Sequence, residues 1–492
     1  MRSPFVRKLF SAVALGLLSL VLSAANAHAQ ANSKIVRLVG NKANATVTRA
    51  GQTTPTALTE GASIAVGDVI NAGAGVDIFY QAYTGAIATL KAGGKVKVEA
   101  IQGNVAVLDI TTTGGGTLAV QIEPNKGYKF GVRTPKGVAA AKGTVFTINV
   151  AGNTYTVVTF AGGVSVFTGN LTGGAGGALS NADTQTMVET GGTAGLAQSA
   201  GVNAVALTPG QATLANATDT SAPVVMQGNN PAAQSAVVSA AQIAVAAVAQ
   251  NGGGELAAVM ASVVNNVPQT SISTIVATAA AQAPDQAAAV VKAAVDSASS
   301  PTQAAAIAKD AAQGAAQGVV QANNGVVDTT VTAQVAAIAE NASQSAAAKG
   351  APPAELATSI STATSAGATT GVKESGGNVD ASATTLATAA ARGATEGTIK
   401  GSGATGAAAQ NIADSATAGG SQGVVNSGAA PTSVDTNAVG AGAVAGAGDA
   451  NVTVQPPPDV PAPTPPAPNV PEAPVTPTTP VNPDLSVSPA GE

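Results

Sequence analysis

The sequence predicts an all-β sandwich or barrel-like N-terminal domain, followed by an Ala-rich α-helical array and a disordered Pro-rich tail. Three observations carry this prediction. Every aromatic residue beyond residue 29 lies between Phe79 and Phe167, so only this part of the chain can build a conventional aromatic core. Apolar residues alternate with period two in the same part, whereas Ala-rich segments punctuated by Pro and Gly follow it. The last residues, 456–492, are rich in Pro and favour an extended, solvated chain.

The β-domain is predicted over residues 33–168. Short alternating segments such as 95–99 and 146–150 are separated by Gly-rich turns, a spacing typical of sandwiches and barrels. We expect about ten strands between residues 34 and 168, with one further strand ending near residue 215. The remainder of 169–230 reads as a linker of Gly, Ser, Thr and Asn.

Residues 231–420 predict an imperfect helical repeat. Pro231 opens the first Ala-rich run and Gly252 follows its end, which is typical helix punctuation. Comparable signals predict roughly seven to nine short helices, in which Ala and Gly at every third or fourth position allow close approach. Because Ala buries little apolar area, we expect a weakly stable array to about residue 400 and increasing disorder beyond it. Residues 421–455 read as a low-complexity linker.

Residues 1–29 predict a cleaved secretory signal peptide. Basic residues precede a short apolar run, and Ala27-His28-Ala29 resembles a cleavage site. The alternative is an uncleaved membrane anchor. The mature chain would begin at Gln30, be periplasmic or extracellular, and contain no transmembrane span.

The residue inventory excludes several kinds of chemistry. The chain has no Cys, and its one His, His28, lies in the predicted signal. We therefore expect no enzyme activity, no cofactor and no metal site, since imidazole and thiolate ligands are missing. Loss of Arg2, Arg7 and Lys8 with the signal leaves 18 basic and 26 acidic residues, a net charge of −8 that argues against nucleic acid. Carboxylate or Ser–Lys catalysis stays open, and its acidic candidates are Asp68, Asp77, Glu99, Asp109 and Glu123.

One stretch differs from the rest of the chain, which consists mostly of Ala, Gly, Ser and Thr. It contains Arg133, Thr134, Pro135, Lys142, Gly143, Thr144 and Phe146. This Arg-Thr-Pro turn followed by basic-Gly-Thr-x-Phe resembles the hallmark of FecR-like domains. Gly67-Asp68-Val69-Ile70 and Gly162-Gly163-Val164 are similar to further parts of the family pattern. The resemblance covers residues 60–168, with a trailing match to 214, and it departs from the family at Lys142, where Arg is usual.

The resemblance implies a β-fold outside the cytoplasm, but not an anti-sigma function, because a cleavable signal precedes the domain and no predicted span follows it. We expect the motif to be structural, with Arg133 and Lys142 either pairing with a carboxylate such as Asp68 or Glu123 or contacting an anionic ligand. The favoured function is a non-enzymatic exported binding or assembly module, with a cell-wall glycan or an envelope protein as partner. The alternative is a periplasmic sensor that signals through a separate membrane partner.

Overall fold

The computed structural model describes residues 33–110, 115–134, 137–151, 154–168, 184, 187–189, 203–216, 224–227 and 230–456. Within these residues a β-domain precedes a helical domain, which confirms the predicted order of fold classes. The predicted signal peptide and almost all of the Pro-rich tail lie outside the described residues, so both stay predictions.

The described part of the chain forms fifteen strands, twelve of them before residue 169, where about ten were expected. The difference lies in short strands near the start of the domain, which carry too few residues to show an alternating pattern. The strands are β1 Lys34–Gly40, β2 Ala45–Thr48, β3 Thr56–Ala57, β4 Val69–Ala72, β5 Val76–Tyr83, β6 Ala86–Leu90, β7 Lys95–Gln102, β8 Val105–Asp109, β9 Gly116–Ile122, β10 Lys129–Thr134, β11 Gly137–Ala151, β12 Thr154–Thr168, β13 Asn203–Leu207, β14 Gln211–Asn216 and β15 Val224–Gln227.

These strands belong to one mixed sheet. The main path runs β1-β5-β6-β9-β11-β10-β8-β7-β4-β2-β3, while β12 lies along the other edge of β11 and leads to β13, β14 and β15. Strands β8 and β10 are parallel, whereas β11 pairs antiparallel with its neighbours. The first half of β11 pairs with β10 and the second half with β9, so this one strand joins the two halves of the sheet.

The β11–β12 hairpin bends where the sheet changes partners. The register shifts between Lys142 and Phe146, and Gly143 adopts φ +60. Gly162 faces this bend with φ +70, and a Cβ there would lie 2.4 Å from the carbonyl oxygen of Gly143. The Thr144 hydroxyl lies 3.0 Å from the carbonyl oxygens of both Lys142 and Gly163, which ties the two strands together at the bend.

The inner face of the sheet forms one hydrophobic core. Tyr80, Tyr155, Phe130 and Phe146 are among its largest side chains, and each is at most 2% exposed. Phe146 therefore points inward as the alternating pattern predicts. The aromatic side chains of this domain supply much of the apolar area that its fold requires.

The predicted linker 169–230 contains structure that the sequence analysis missed. Strands β13 and β14 pair with β12, and β15 pairs with β14, where only one further strand was expected. Met187 and Val188 are buried against the outer face of the sheet, and a Cβ on Gly131 would lie 2.3 Å from Val188 Cγ2. Strand β12 has 15 residues and offers a long edge, so weakly patterned segments gain partners there.

The described residues after 230 form ten α-helices. Their bounds are α1 Pro231–Gln250, α2 Leu256–Asn266, α3 Ile272–Gln282, α4 Ala287–Asp296, α5 Pro301–Ala322, α6 Thr329–Ala348, α7 Pro353–Glu374, α8 Val379–Ser402, α9 Gly406–Asn426 and α10 Thr436–Asp449.

The helices stack in two rows, because from α3 onward each helix makes its most extensive contact with a helix two positions away in the chain. Glycines spaced four residues apart, two in each of α5, α7, α9 and α10 and three in α8, mediate this packing. A Cβ on any of them would lie 2.0 to 2.8 Å from a carbonyl oxygen of the earlier helix. These residues are Gly314, Gly318, Gly367, Gly371, Gly393, Gly397, Gly401, Gly419, Gly423, Gly442 and Gly446.

The helical domain extends further than the sequence predicts. Helix α9 continues to Asn426, and α10, Thr436–Asp449, lies within the expected linker 421–455. Val439, Ala443 and Ala447 of α10 are fully buried. The expectation of increasing disorder beyond residue 400 is therefore wrong for the described residues. It counted only apolar area and neglected the close backbone contacts that Gly442 and Gly446 make with α8.

The β-domain and the helices share a packed junction. Val145, Val158 and Phe160 on the outer face of the sheet join the same hydrophobic cluster as Val245 and Val248 of α1. Polar contacts frame this junction: Arg37 donates to the carbonyl of Gln250 at 3.2 Å, and Asn251 donates to the Gln121 side chain at 3.1 Å. The first helices thus cover one part of the outer face.

Candidate functional site

Arg133 of the FecR-like motif forms a buried ion pair with Glu99. Its Nη1 lies 2.6 Å from Glu99 Oε1, and the two side chains are 15% and 5% exposed. Glu99 sits at a β-bulge, since β7 shifts register against β8 between Val98 and Ala100. The bulge turns this carboxylate toward Arg133 on the outer face of the sheet.

Two further charged residues surround this pair. Asp109 is buried on β8, and its register partners are Lys97 on β7 and Arg133 on β10. Burial raises the pKa of the Glu99 carboxyl, an effect that Arg133 and Lys97 oppose and Asp109 reinforces. Glu99 Oε2 has no hydrogen-bond partner among the described residues. The group is consistent with a structural role, because a ligand at Arg133 would have to displace Glu99.

The predicted carboxylate partners of Arg133 and Lys142 are wrong. Asp68 pairs with Arg49 at 2.6 Å and accepts hydrogen bonds from the backbone of Ala50 and Ala65, while Glu123 lies 3.8 Å from Lys126. The sequence could not reveal these pairs because they depend on strand order and on the local turns.

The other residues of the motif lie where strands meet. Thr134 ends β10 and donates its hydroxyl proton to the Gly137 carbonyl at 3.1 Å. Pro135 lies outside the described residues. Lys142 is exposed opposite Lys129 and has no ion-pair partner among the described residues. It remains the motif residue with a free charge.

The remaining candidate carboxylates also serve as local anchors. Asp77 pairs with Lys91 and accepts from the backbone of Ala92 at 3.0 Å. No group of three His, Cys, Asp or Glu residues that could hold a metal occurs in the described part of the chain. Asp68, Asp77 and Glu123 thus lie in separate ion pairs, whereas Glu99 and Asp109 lie together beside Arg133.

A polar groove lies between the sheet and helix α1. Its floor is a cross-strand row on three adjacent strands, in which Asn149 of β11 is paired with Thr117 of β9 and Thr156 of β12. Its other wall is the start of α1, which contributes Ser235 and Ser239. The cavity has a volume of about 200 Å³.

The groove is lined by hydroxyl, amide and methyl groups. None of the described residues around it is charged or aromatic. The Thr117 hydroxyl lies 3.3 Å from Asn149 Oδ1, which orients the amide at the open end of the groove. Such a lining can exchange hydrogen bonds with an uncharged polar ligand but offers no counter-charge to an ion.

This groove was not predicted from the sequence. The alternation in 146–150 and 154–158 shows that Thr147, Asn149 and Thr156 share the face opposite the core. Nothing in the local pattern tells which helix covers that face. The informative pattern in the sequence is that Thr and Asn residues face away from the core on three strands, and that the first helix after the sheet begins with small residues.

Helix α1 is a candidate membrane-spanning helix by length and composition. Its residues Ala233–Gln250 are long and apolar enough to cross a bilayer, and 61% of this window is buried within the protein. A core helix of a soluble protein passes the same test, so the helix is weak evidence for a span. The expected absence of a transmembrane span stays a prediction.

Comparisons with known proteins leave the family open. No family model matches the chain, and no curated protein matches it. Two crystal structures of a candidate anti-sigma factor from Parabacteroides distasonis, at 2.50 and 1.65 Å resolution, are similar to part of it. The first is 14% identical with a TM-score of 0.23 over 32% of this chain and 59% of that chain. The second is 14% identical with a TM-score of 0.20, over 29% and 51%.

The chain thus spans little more than half the length of these two structures. Similarity at this level carries no argument about function. The resemblance to FecR-like domains rests on the motif residues alone and stays a prediction.

Proposed function

We propose that this protein is a non-enzymatic, exported binding or assembly module of the bacterial cell envelope, built on a FecR-like β-domain. The observation that carries the proposal is the fusion of a β-domain to a long helical stack. Helices α5 and α7 to α10 dock through glycines onto backbone carbonyls of the helix two positions earlier in the chain. Such close packing suits a rigid body that presents an extended surface.

The charged groups of the β-domain support a non-catalytic role. Asp68, Asp77 and Glu99 each have a basic partner within the domain. A general acid or base would need a carboxyl group that reaches a substrate in a cleft. These three groups instead hold loops and strands in place.

The charge balance favours an uncharged partner surface. A mature chain with a net charge of −8 is repelled by polyanions at long range. Its polar groove contains no charged lining residue among those described. A neutral polysaccharide of the cell wall or an envelope protein fits this balance better than nucleic acid.

The test is co-sedimentation of the chain from Gln30 onward with purified cell-wall sacculi and, separately, with envelope vesicles. We expect saturable binding that persists at high salt, because screening weakens charge–charge contacts more than hydrogen bonds and apolar contacts. Absence of saturable binding to both materials overturns the proposal. Catalytic release of soluble fragments from the sacculi would also contradict it, since the proposed module performs no chemistry.

A further inference from the structure

Beneath helix α1, two neighbouring rows of side chains on the outer face of the sheet differ in exposure. One cross-strand row consists of Ala119, Thr147 and Val158, and all three side chains are at most 3% exposed. The neighbouring row consists of Thr117, Asn149 and Thr156, which remain partly or fully exposed. Helix α1 therefore seals the first row and leaves the second accessible.

The residues of α1 explain why the second row is not covered. Ser235, Ala236 and Ser239 face it, and their short side chains do not reach across the gap. One turn later, Ala240 is 7% exposed and Ala244 is fully buried, so the helix is firmly seated there. The result is a partly open cavity of about 200 Å³ between the sheet and the start of α1.

We propose that this groove binds a neutral saccharide. The inference rests on the proposed function and names the chemical class of its ligand. Hydroxyl and amide groups on both walls can donate and accept hydrogen bonds, which matches the alternating hydroxyls of a sugar. The methyl groups of Thr117, Thr156 and Ala236 offer small apolar contacts to the C–H surfaces of the ring.

Other ligand classes fit the groove less well. An anion or a cation would be partly desolvated without an opposite charge among the described lining residues. A fully apolar ligand would leave Ser235, Ser239 and Asn149 without water or another partner. The cavity of about 200 Å³ is partly open, so it can hold one sugar ring while the rest of a longer saccharide stays outside.

The test is isothermal titration calorimetry of the whole mature chain with two neutral probes, tri-N-acetylchitotriose and maltotriose. Ala236→Leu fills the groove, and we expect it to weaken binding of the preferred probe by at least about tenfold. Asn149→Ala removes the amide at the open end, and a roughly two- to tenfold loss is expected. Ala441→Leu on the exposed side of α10 is the matched control and should leave affinity unchanged.

The outcomes separate this inference from the proposed function. Binding of one probe, lost in Ala236→Leu and kept in Ala441→Leu, supports the saccharide site. If neither probe binds, or if Ala236→Leu binds as tightly as the wild type with an unchanged melting temperature, the site is overturned. Should the wild type still co-sediment with sacculi in that case, the proposed function survives. If the wild type binds neither probe and co-sediments with neither sacculi nor envelope vesicles, the saccharide site and the proposed function are both overturned.

Discussion

Gly393 of helix α8 faces the backbone carbonyl of Ala336 in helix α6 so closely that a Cβ on Gly393 would lie 2.0 Å from the carbonyl oxygen. The same relationship recurs one turn later between Gly397 and Glu340 at 2.1 Å. Contacts of this kind bring helix backbones together without large side chains, and they permit weak Cα–H···O interactions. They explain how helices made mostly of Ala and Gly can pack as a defined domain.

We predict that Gly393→Ala lowers the free energy of unfolding of the helical domain by about 1–3 kcal/mol, because the added methyl overpacks the contact. Gly448→Ala is the matched control. It lies in α10 with no atom near the added Cβ, so it should stabilise the domain by up to about 1 kcal/mol through helix propensity. Urea denaturation followed by circular dichroism measures both effects. Equal effects of the two substitutions would contradict the account of helix packing.

The bend of the β11–β12 hairpin gives a second prediction. Gly162→Ala should destabilise the β-domain by about 1–3 kcal/mol, because the residue has φ +70 and its Cβ would meet the Gly143 carbonyl. Gly51→Ala shares the positive φ, but its Cβ would meet no atom within 4 Å, so it should cost less. The intrinsic fluorescence of the buried tyrosines reports unfolding of this domain. A larger loss in Gly51→Ala would contradict the predicted clash.

Removal of the Arg133 charge tests its structural role. Arg133→Met leaves Glu99 buried without its close basic partner, and we expect a loss of about 3–5 kcal/mol in the free energy of unfolding. Lys42→Met is the control, since it breaks the exposed pair with Glu60 and should cost much less than Arg133→Met. The double variant Arg133→Met/Glu99→Leu should recover much of the loss. A negligible effect of Arg133→Met would leave ligand contact as the better role for this residue.

The pH dependence of stability provides a fourth prediction. Burial raises the pKa of Glu99, so the native state binds more protons than the unfolded chain at pH values just above the ordinary carboxyl pKa. The contribution of Glu99 to stability therefore falls as the pH rises through this window. Glu99→Gln should remove that fall, which urea titrations at mildly acidic and neutral pH can measure.

Glu60→Gln is the control for the pH experiment. Hydrogen bonds from Lys42 and from the Leu38 backbone lower the pKa of Glu60, so its stabilising contribution is present at neutral pH and lost on acidification. Its replacement should change the pH slope in the opposite direction to Glu99→Gln. A change of the same sign in both variants would show that the environment of Glu99 is misassigned.

Local patterns in the sequence were sufficient for most element positions. The sequence predicts a helix over 302–322 and another over 328–349, and the structure has Pro301–Ala322 and Thr329–Ala348. Pro301 and the N-cap Asp328 fix these boundaries through local hydrogen bonding and backbone geometry. Such signals act within a few residues, so they are readable without knowledge of the fold.

Contacts between residues far apart in the chain could not be predicted from these local patterns. Arg133 reaches Glu99 only because β8 lies between their strands in a parallel pairing with β10. Likewise, the groove exists only because α1 returns across the outer face of β9, β11 and β12. Strand order and helix docking depend on the whole chain, so neither the ion pair nor the groove follows from local sequence.

The most direct test of the proposed function compares the wild-type mature chain, Ala236→Leu and Ala441→Leu in binding to purified sacculi. The account predicts saturable binding by the wild type and by Ala441→Leu, and strongly reduced binding by Ala236→Leu. All three proteins should have similar melting temperatures. If the folded wild type shows no saturable binding to sacculi or to envelope vesicles, the central claim is contradicted.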